Sequence, residues 1–165
     1  MHVQVQTALL HVVEKGDPAA LPIIFIHGFP FSHRMWDAQV AALSPQYRTI
    51  AYDLRGLGES SMGDGQYTVE GHVDDLLAVM DHFGIAKAVI VGLSLGGYIT
   101  LRALERNPER FRAAILCDTR SEADGNEAKI TRARAVAAVK SRGSSWFADD
   151  FIKKVFAEGS FTRVP

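Results

Sequence analysis

The pentapeptide Gly92-Leu93-Ser94-Leu95-Gly96 stands directly after the apolar run 88–91 and just before an amphipathic stretch, 98–105, that stops at Asn107-Pro108. A strand-length apolar run followed at once by a helix-period stretch leaves no room for a loop, so the chain has to leave a strand, reverse within about one residue and enter a helix. Such a reversal holds Ser94 at positive φ, which most side chains resist, and brings strand and helix backbones too close for a Cβ on either flank. Glycine at 92 and 96 meets that demand. The turn lifts the Ser94 oxygen above the end of a sheet and aims the first amides of the helix, beginning with Leu95 N–H, towards it.

Strand-like and helix-like segments alternate along the rest of the chain. Residues 3–7 and 10–14 read as a hairpin-like opening pair, followed by buried strands at 23–26 and 49–52 and a sixth strand at 112–117. Between them, 34–43 reads as a first helix closed by Ser44-Pro45. Thr68 caps a second, in which Val73, Leu76, Leu77, Met80 and Phe83 fall at helical spacing and Gly84 is the stop. This alternation predicts an α/β fold with a mostly parallel sheet and helices on both faces. After Asp124-Gly125 the texture changes to two helices, 127–140 ended by Gly143, and a second capped by Ser144 or Ser145. The second carries an apolar stripe of Phe147, Phe151, Ile152, Val155 and Phe156. The chain is therefore expected to divide into a core over 1–124 and a helical part over 125–165.

Two further motifs follow strands. His27-Gly28-Phe29-Pro30 follows 23–26, and Asp53-Leu54-Arg55-Gly56-Leu57-Gly58-Glu59-Ser60 follows 49–52. With G-x-S-x-G third in order, the chain resembles the α/β-hydrolase superfamily. His27-Gly28-Phe29-Pro30-Phe31-Ser32-His33-Arg34-Met35-Trp36 and Cys117-Asp118-Thr119-Arg120-Ser121-Glu122-Ala123-Asp124 look like its 3-oxoadipate enol-lactonase and esterase branch. The resemblance implies Ser94 as nucleophile, the backbone N–H groups of Leu95 and Phe29 as oxyanion hole, and hydrolysis of an ester or lactone through an acyl-enzyme. It also implies that 125–165 begins a cap and that the chain is a C-terminally truncated N-terminal portion of the fold. In that family the acid follows a seventh strand and the histidine an eighth, and no histidine follows Ser94 here.

The six histidines therefore carry weight. His2 and His11 lie on the opening strands and are expected to be solvated, while His72 and His82 on the second helix serve surface or packing roles. By resemblance His27 shapes the oxyanion loop. His33 is the one mobile candidate for an in-chain base. Asp118, ending the sixth strand, is the alternative acid, although its expected role is to organise the loop that follows. Asp53 reads as a loop anchor with Arg55.

Composition excludes several classes. With 18 basic and 19 acidic residues and a net charge of -1, nothing favours a nucleic acid or an anionic membrane as partner. No apolar stretch is long enough to span a bilayer and the N-terminus lacks a signal-peptide pattern. The single cysteine suits a reducing cytoplasm. Spacing gives no metal site, P-loop or complete dinucleotide fingerprint, so no cofactor is expected. Two readings remain: a serine esterase or lactonase, nearly inactive as this chain, or a non-catalytic half-fold that binds or assembles. An open sixth strand and the exposed aromatic stripe predict a homodimer or larger, joined at that strand or by exchange of the two C-terminal helices.

Overall fold

The computed structural model describes residues 1–161. Six strands, β1 (His2–Val5), β2 (Ala8–Lys15), β3 (Pro22–Ile26), β4 (Arg48–Tyr52), β5 (Ala88–Leu93) and β6 (Phe111–Cys117), form one sheet in the order β1-β2-β4-β3-β5-β6. The β1–β2 and β2–β4 pairs are antiparallel; β4, β3, β5 and β6 run parallel. The helices are α1 (Asp37–Leu43), α2 (Val69–His82), α3 (Leu95–Arg106), α4 (Asn126–Arg142) and α5 (Ser144–Val155).

Each central strand is apolar at nearly every position because both sheet faces are covered. Period-two alternation sends Ile24, Ile26, Ile50, Tyr52 and Ile90 to one face, where Val73, Leu76 and Met80 of α2 and Ile99 and Ala103 of α3 pack on them. Ile23, Phe25, Ala51 and Val91 go to the other, against Trp36 and Val40. Thr68 caps α2 as expected, its side chain accepting from Gly71 N–H at 3.0 Å, and Gly84 follows the helix at φ +63°.

Three local expectations change. The first helix is not continuous over 34–43: a 3-10 turn, His33–Trp36, precedes α1. That turn buries His33 and Trp36 in one short segment. Neither Ser144 nor Ser145 caps α5. Gly143 at φ +88° does the turning and Ser144 is already helical. The sixth strand starts one residue early, at Phe111, whose buried side chain joins the core cluster.

The chain forms two compact units, Met1–Ser121 and the residues from Glu122 onward. In the second, Phe147 and Phe151 stack at 5.5 Å and the Arg142 guanidinium lies 4.8 Å over the Trp146 ring. Within the first, the chain runs from β3 through α1 to β4 in one direction and from β5 through α3 to β6 in the other. The strand order therefore reverses between β3 and β5. In open α/β sheets this reversal opens a crevice at the carboxyl ends of the two strands, because their connections leave to opposite sides. His27 to Phe29 and Ser94 lie at those ends.

Candidate active site

Ser94 ends the extended run of β5 at φ +51° and ψ -108° and heads α3, with no side-chain cap of its own. The flanking glycines are there for the steric reason the motif implies. A Cβ on Gly92 would meet the Gly96 carbonyl oxygen at 2.3 Å, and one on Gly96 would meet the Ile26 carbonyl oxygen at 2.3 Å. Backbone cannot yield at such distances. A Cβ built on Gly28 would come within 3.4 Å of the Ser94 Cβ, so the loop after β3 lies directly beside the serine. Leu95, the first residue of α3, presents one of the amides that a helix start leaves without an internal partner.

The other loop is fixed from beneath by His27, fully buried. Leu54 N–H donates to its Nε2 at 2.9 Å, so Nε2 carries no proton and Nδ1–H donates to the Gly28 carbonyl at 2.9 Å. Burial lowers the His27 pKa and keeps it in this neutral tautomer. The Gly28 carbonyl also accepts from Phe31 N–H at 2.9 Å. Carbonyl and following N–H share one planar peptide and point opposite ways, so anchoring Gly28 C=O sets the direction of Phe29 N–H. The Phe29 side chain is exposed.

His33 does not sit free at a cleft rim. It is buried, its N–H donates to Asp53 Oδ1 at 2.6 Å, and its Nδ1–H donates to the same oxygen at 2.8 Å. Asp53 also accepts from Glu59 N–H at 2.8 Å. Burial alone would raise the Asp53 pKa. The Glu59 and His33 amides and the His33 ring outweigh it and hold the carboxyl below the usual carboxylate range. His11 is likewise not solvated: its ring packs 4.9 Å from that of His33, and desolvation lowers its pKa despite Glu59 nearby. His2 is exposed but touches His11 edge-on at 5.1 Å. His72 is buried in α2 with its pKa lowered by burial, and His82 is exposed.

Asp53 and Arg55 anchor the same loop through different partners. Arg55 forms a buried two-pronged pair with Asp75 of α2, Nε to Oδ2 and Nη2 to Oδ1, both at 2.7 Å. Sequence reading missed Asp75, whose only local signal is an acidic residue on the apolar face of α2. Asp118 is exposed at φ +41°, just past β6. Among the described residues no group of His, Cys, Asp and Glu is disposed to hold a metal ion.

Residues 22–151 match the model of the family described as alpha/beta hydrolase fold. The chain belongs to the α/β-hydrolase family. It is 32% identical over 152 residues to 3-oxoadipate enol-lactonase 1 of Acinetobacter baylyi, covering 88% of this chain and 57% of that protein. Its structure is similar to that of a thermophilic esterase from Thermogutta terrifontis, with a TM-score of 0.92 and 35% identity, covering 100% of this chain and 62% of the other. It is also similar to the enol-lactonase from Burkholderia xenovorans, with a TM-score of 0.90 and 31% identity, covering 99% and 62%. This α/β-hydrolase chain thus spans less than two thirds of the length of these relatives. No helix among the described residues is long and apolar enough to cross a membrane.

Proposed function

We propose that this α/β-hydrolase chain carries the nucleophile and oxyanion hole of a serine hydrolase that acts on carboxylic esters or lactones. The observation that carries the reading is a serine at φ +51° heading a helix, directly beside the Gly28–Phe29 peptide. Ser94 Oγ attacks the acyl carbon and gives its proton to solvent water, which passes it to the leaving oxygen, while the carbonyl oxygen gains negative charge that Leu95 N–H and Phe29 N–H stabilise. The alkoxide then leaves with a proton, and water later releases the acid from the ester on Ser94. The substrate class rests on relatives named as an esterase and enol-lactonases. Asp118, exposed on a left-handed bend, fits a loop-shaping role better than that of a triad acid.

The test is a trapping experiment. Incubated with excess p-nitrophenyl acetate and digested, the protein should carry its acetyl group on Ser94, and Ser94→Ala should lose that modified peptide alone. Acetyl groups spread over lysines with Ser94 untouched would refute the assignment.

We also propose that the chain self-associates. Among the described residues β6 pairs only with β5, and Ile115 and Leu116 on it are 52% and 45% exposed. An open edge bearing apolar side chains and no proline is a template for a second strand, and a second copy supplies one related by a twofold axis. Sedimentation equilibrium at micromolar concentration should give a dimer or larger that Ile115→Lys returns towards monomer. A wild-type monomer would end the proposal. The single half-buried Cys117 fits a reducing compartment such as the cytoplasm.

A further inference from the structure

Ser94 is held by its main chain from one short segment. Its N–H donates to the Cys117 carbonyl at 3.0 Å, and its own carbonyl accepts from the Thr119 hydroxyl at 2.9 Å. An extended strand points its carbonyls along the sheet and its side chains out of it, so the Cys117 carbonyl and the Thr119 hydroxyl reach one serine only if the chain bends sharply between them. Asp118 supplies the bend at φ +41°, which aspartate tolerates better than most side chains. The glycine after the pentapeptide has its reason here as well. A Cβ on Gly97 would lie 2.4 Å from Thr119 Oγ1 and 2.5 Å from its Cβ and Cγ2, so the threonine occupies the notch that Gly97 leaves.

The carbonyl that Thr119 grips belongs to the same planar peptide as Leu95 N–H. That carbonyl also accepts from Gly97 N–H at 2.9 Å and Tyr98 N–H at 3.2 Å, but both donors belong to α3 and move with it. Thr119, two residues past the end of β6, is the donor from outside α3. Fixing C=O from outside the helix fixes the N–H on the opposite side of the plane, as His27 does for the Phe29 amide.

We infer that Thr119 is a positioning residue that aims the Leu95 N–H and holds the Ser94 backbone in its strained conformation. The inference rests on the reading of Ser94 as nucleophile and Leu95 as oxyanion donor. It concerns the hydroxyl and not the bulk of the side chain. Thr119→Val keeps the volume and removes the hydroxyl; Thr119→Ser keeps the hydroxyl and gives up the methyl.

Two readouts on the full 165-residue chain test it. One is the residual dipolar coupling and order parameter of the Leu95 N–H in isotope-labelled protein. The other is the rate of Ser94 acetylation by p-nitrophenyl acetate, resolved into its maximal rate and half-saturating concentration. Thr119→Val should alter the Leu95 coupling, lower its order parameter and slow maximal acetylation roughly tenfold to a hundredfold with half-saturation unchanged. Thr119→Ser should restore each. A Leu95 coupling identical in wild type and Thr119→Val overturns the inference, as does Thr119→Ser behaving like Thr119→Val. Should Thr119→Val fail to fold, Thr119→Ala against Thr119→Ser gives the same comparison. If wild-type Ser94 is never acetylated, the reading of the site fails, while the Leu95 coupling still decides the role of Thr119.

Discussion

Turnover of p-nitrophenyl acetate by the 165-residue chain is expected to lie on the order of 10⁶ below that of a serine hydrolase with its base in place. On the proposed mechanism Ser94 can be acylated, but each cycle needs a group that takes its proton and later activates water. No histidine follows Ser94 in the sequence, and among the described residues none of the preceding ones hydrogen-bonds its hydroxyl. Both ring nitrogens of His27 are occupied, by Leu54 N–H and by the Gly28 carbonyl. His33 gives its Nδ1–H to Asp53. His72 is enclosed in α2. What remains under the proposed mechanism is the electrostatic help of the two backbone amides, worth roughly 10³ to 10⁴ over water. Steady-state release of p-nitrophenol checks this. Brisk turnover abolished by both Ser94→Ala and His33→Gln would instead make the His33–Asp53 pair the base.

Asp75→Ala should lower the stability of the fold by about 3–5 kcal/mol, close to the whole stability of a marginal domain. The pair it breaks is almost dry, with Arg55 3% and Asp75 0% exposed. Removing the carboxylate leaves a guanidinium that cannot shed its charge and has only Asp64 at 3.3 Å and the Gln66 carbonyl at 3.4 Å for company. Tyr52 is affected in the opposite sense. Burial, with Asp75 adding to it, raises the pKa of its phenol, so the phenol itself does not suffer when Asp75 goes. Urea unfolding measures the loss. Replacing both partners by apolar residues, as in Arg55→Met with Asp75→Leu, should cost much less than the single change, because the penalty lies in the orphaned charge. A loss below about 1 kcal/mol for Asp75→Ala would mean that Arg55 swings out to water.

The elbow could be read from sequence because it is a steric problem confined to five residues. Strand, reversal and helix in immediate succession demand glycine at 92 and 96, and the 2.3 Å approaches of their absent Cβ atoms to backbone oxygens are that demand in space. The Thr68 cap and the Gly84 stop are local in the same way. His33 and His11 were misjudged for the opposite reason. Local sequence gave each a loop or an edge strand, whereas β2 pairs with β4 and brings His11 beside the Asp53 loop, and the 3-10 turn folds His33 onto Asp53, 20 positions away.

Arg55 with Asp75 and Thr119 with Ser94 follow the same rule, at separations of 20 and 25 residues. The sequence by itself determined which segments are strands and helices, where the chain turns and which residues must lack a Cβ, because these depend on periodicity and on neighbours within a few positions. Tertiary structure alone decided which polar side chains meet and which are dry. Those depend on the strand order β1-β2-β4-β3-β5-β6, a choice made by packing both faces of the sheet at once and written in no single stretch of the chain.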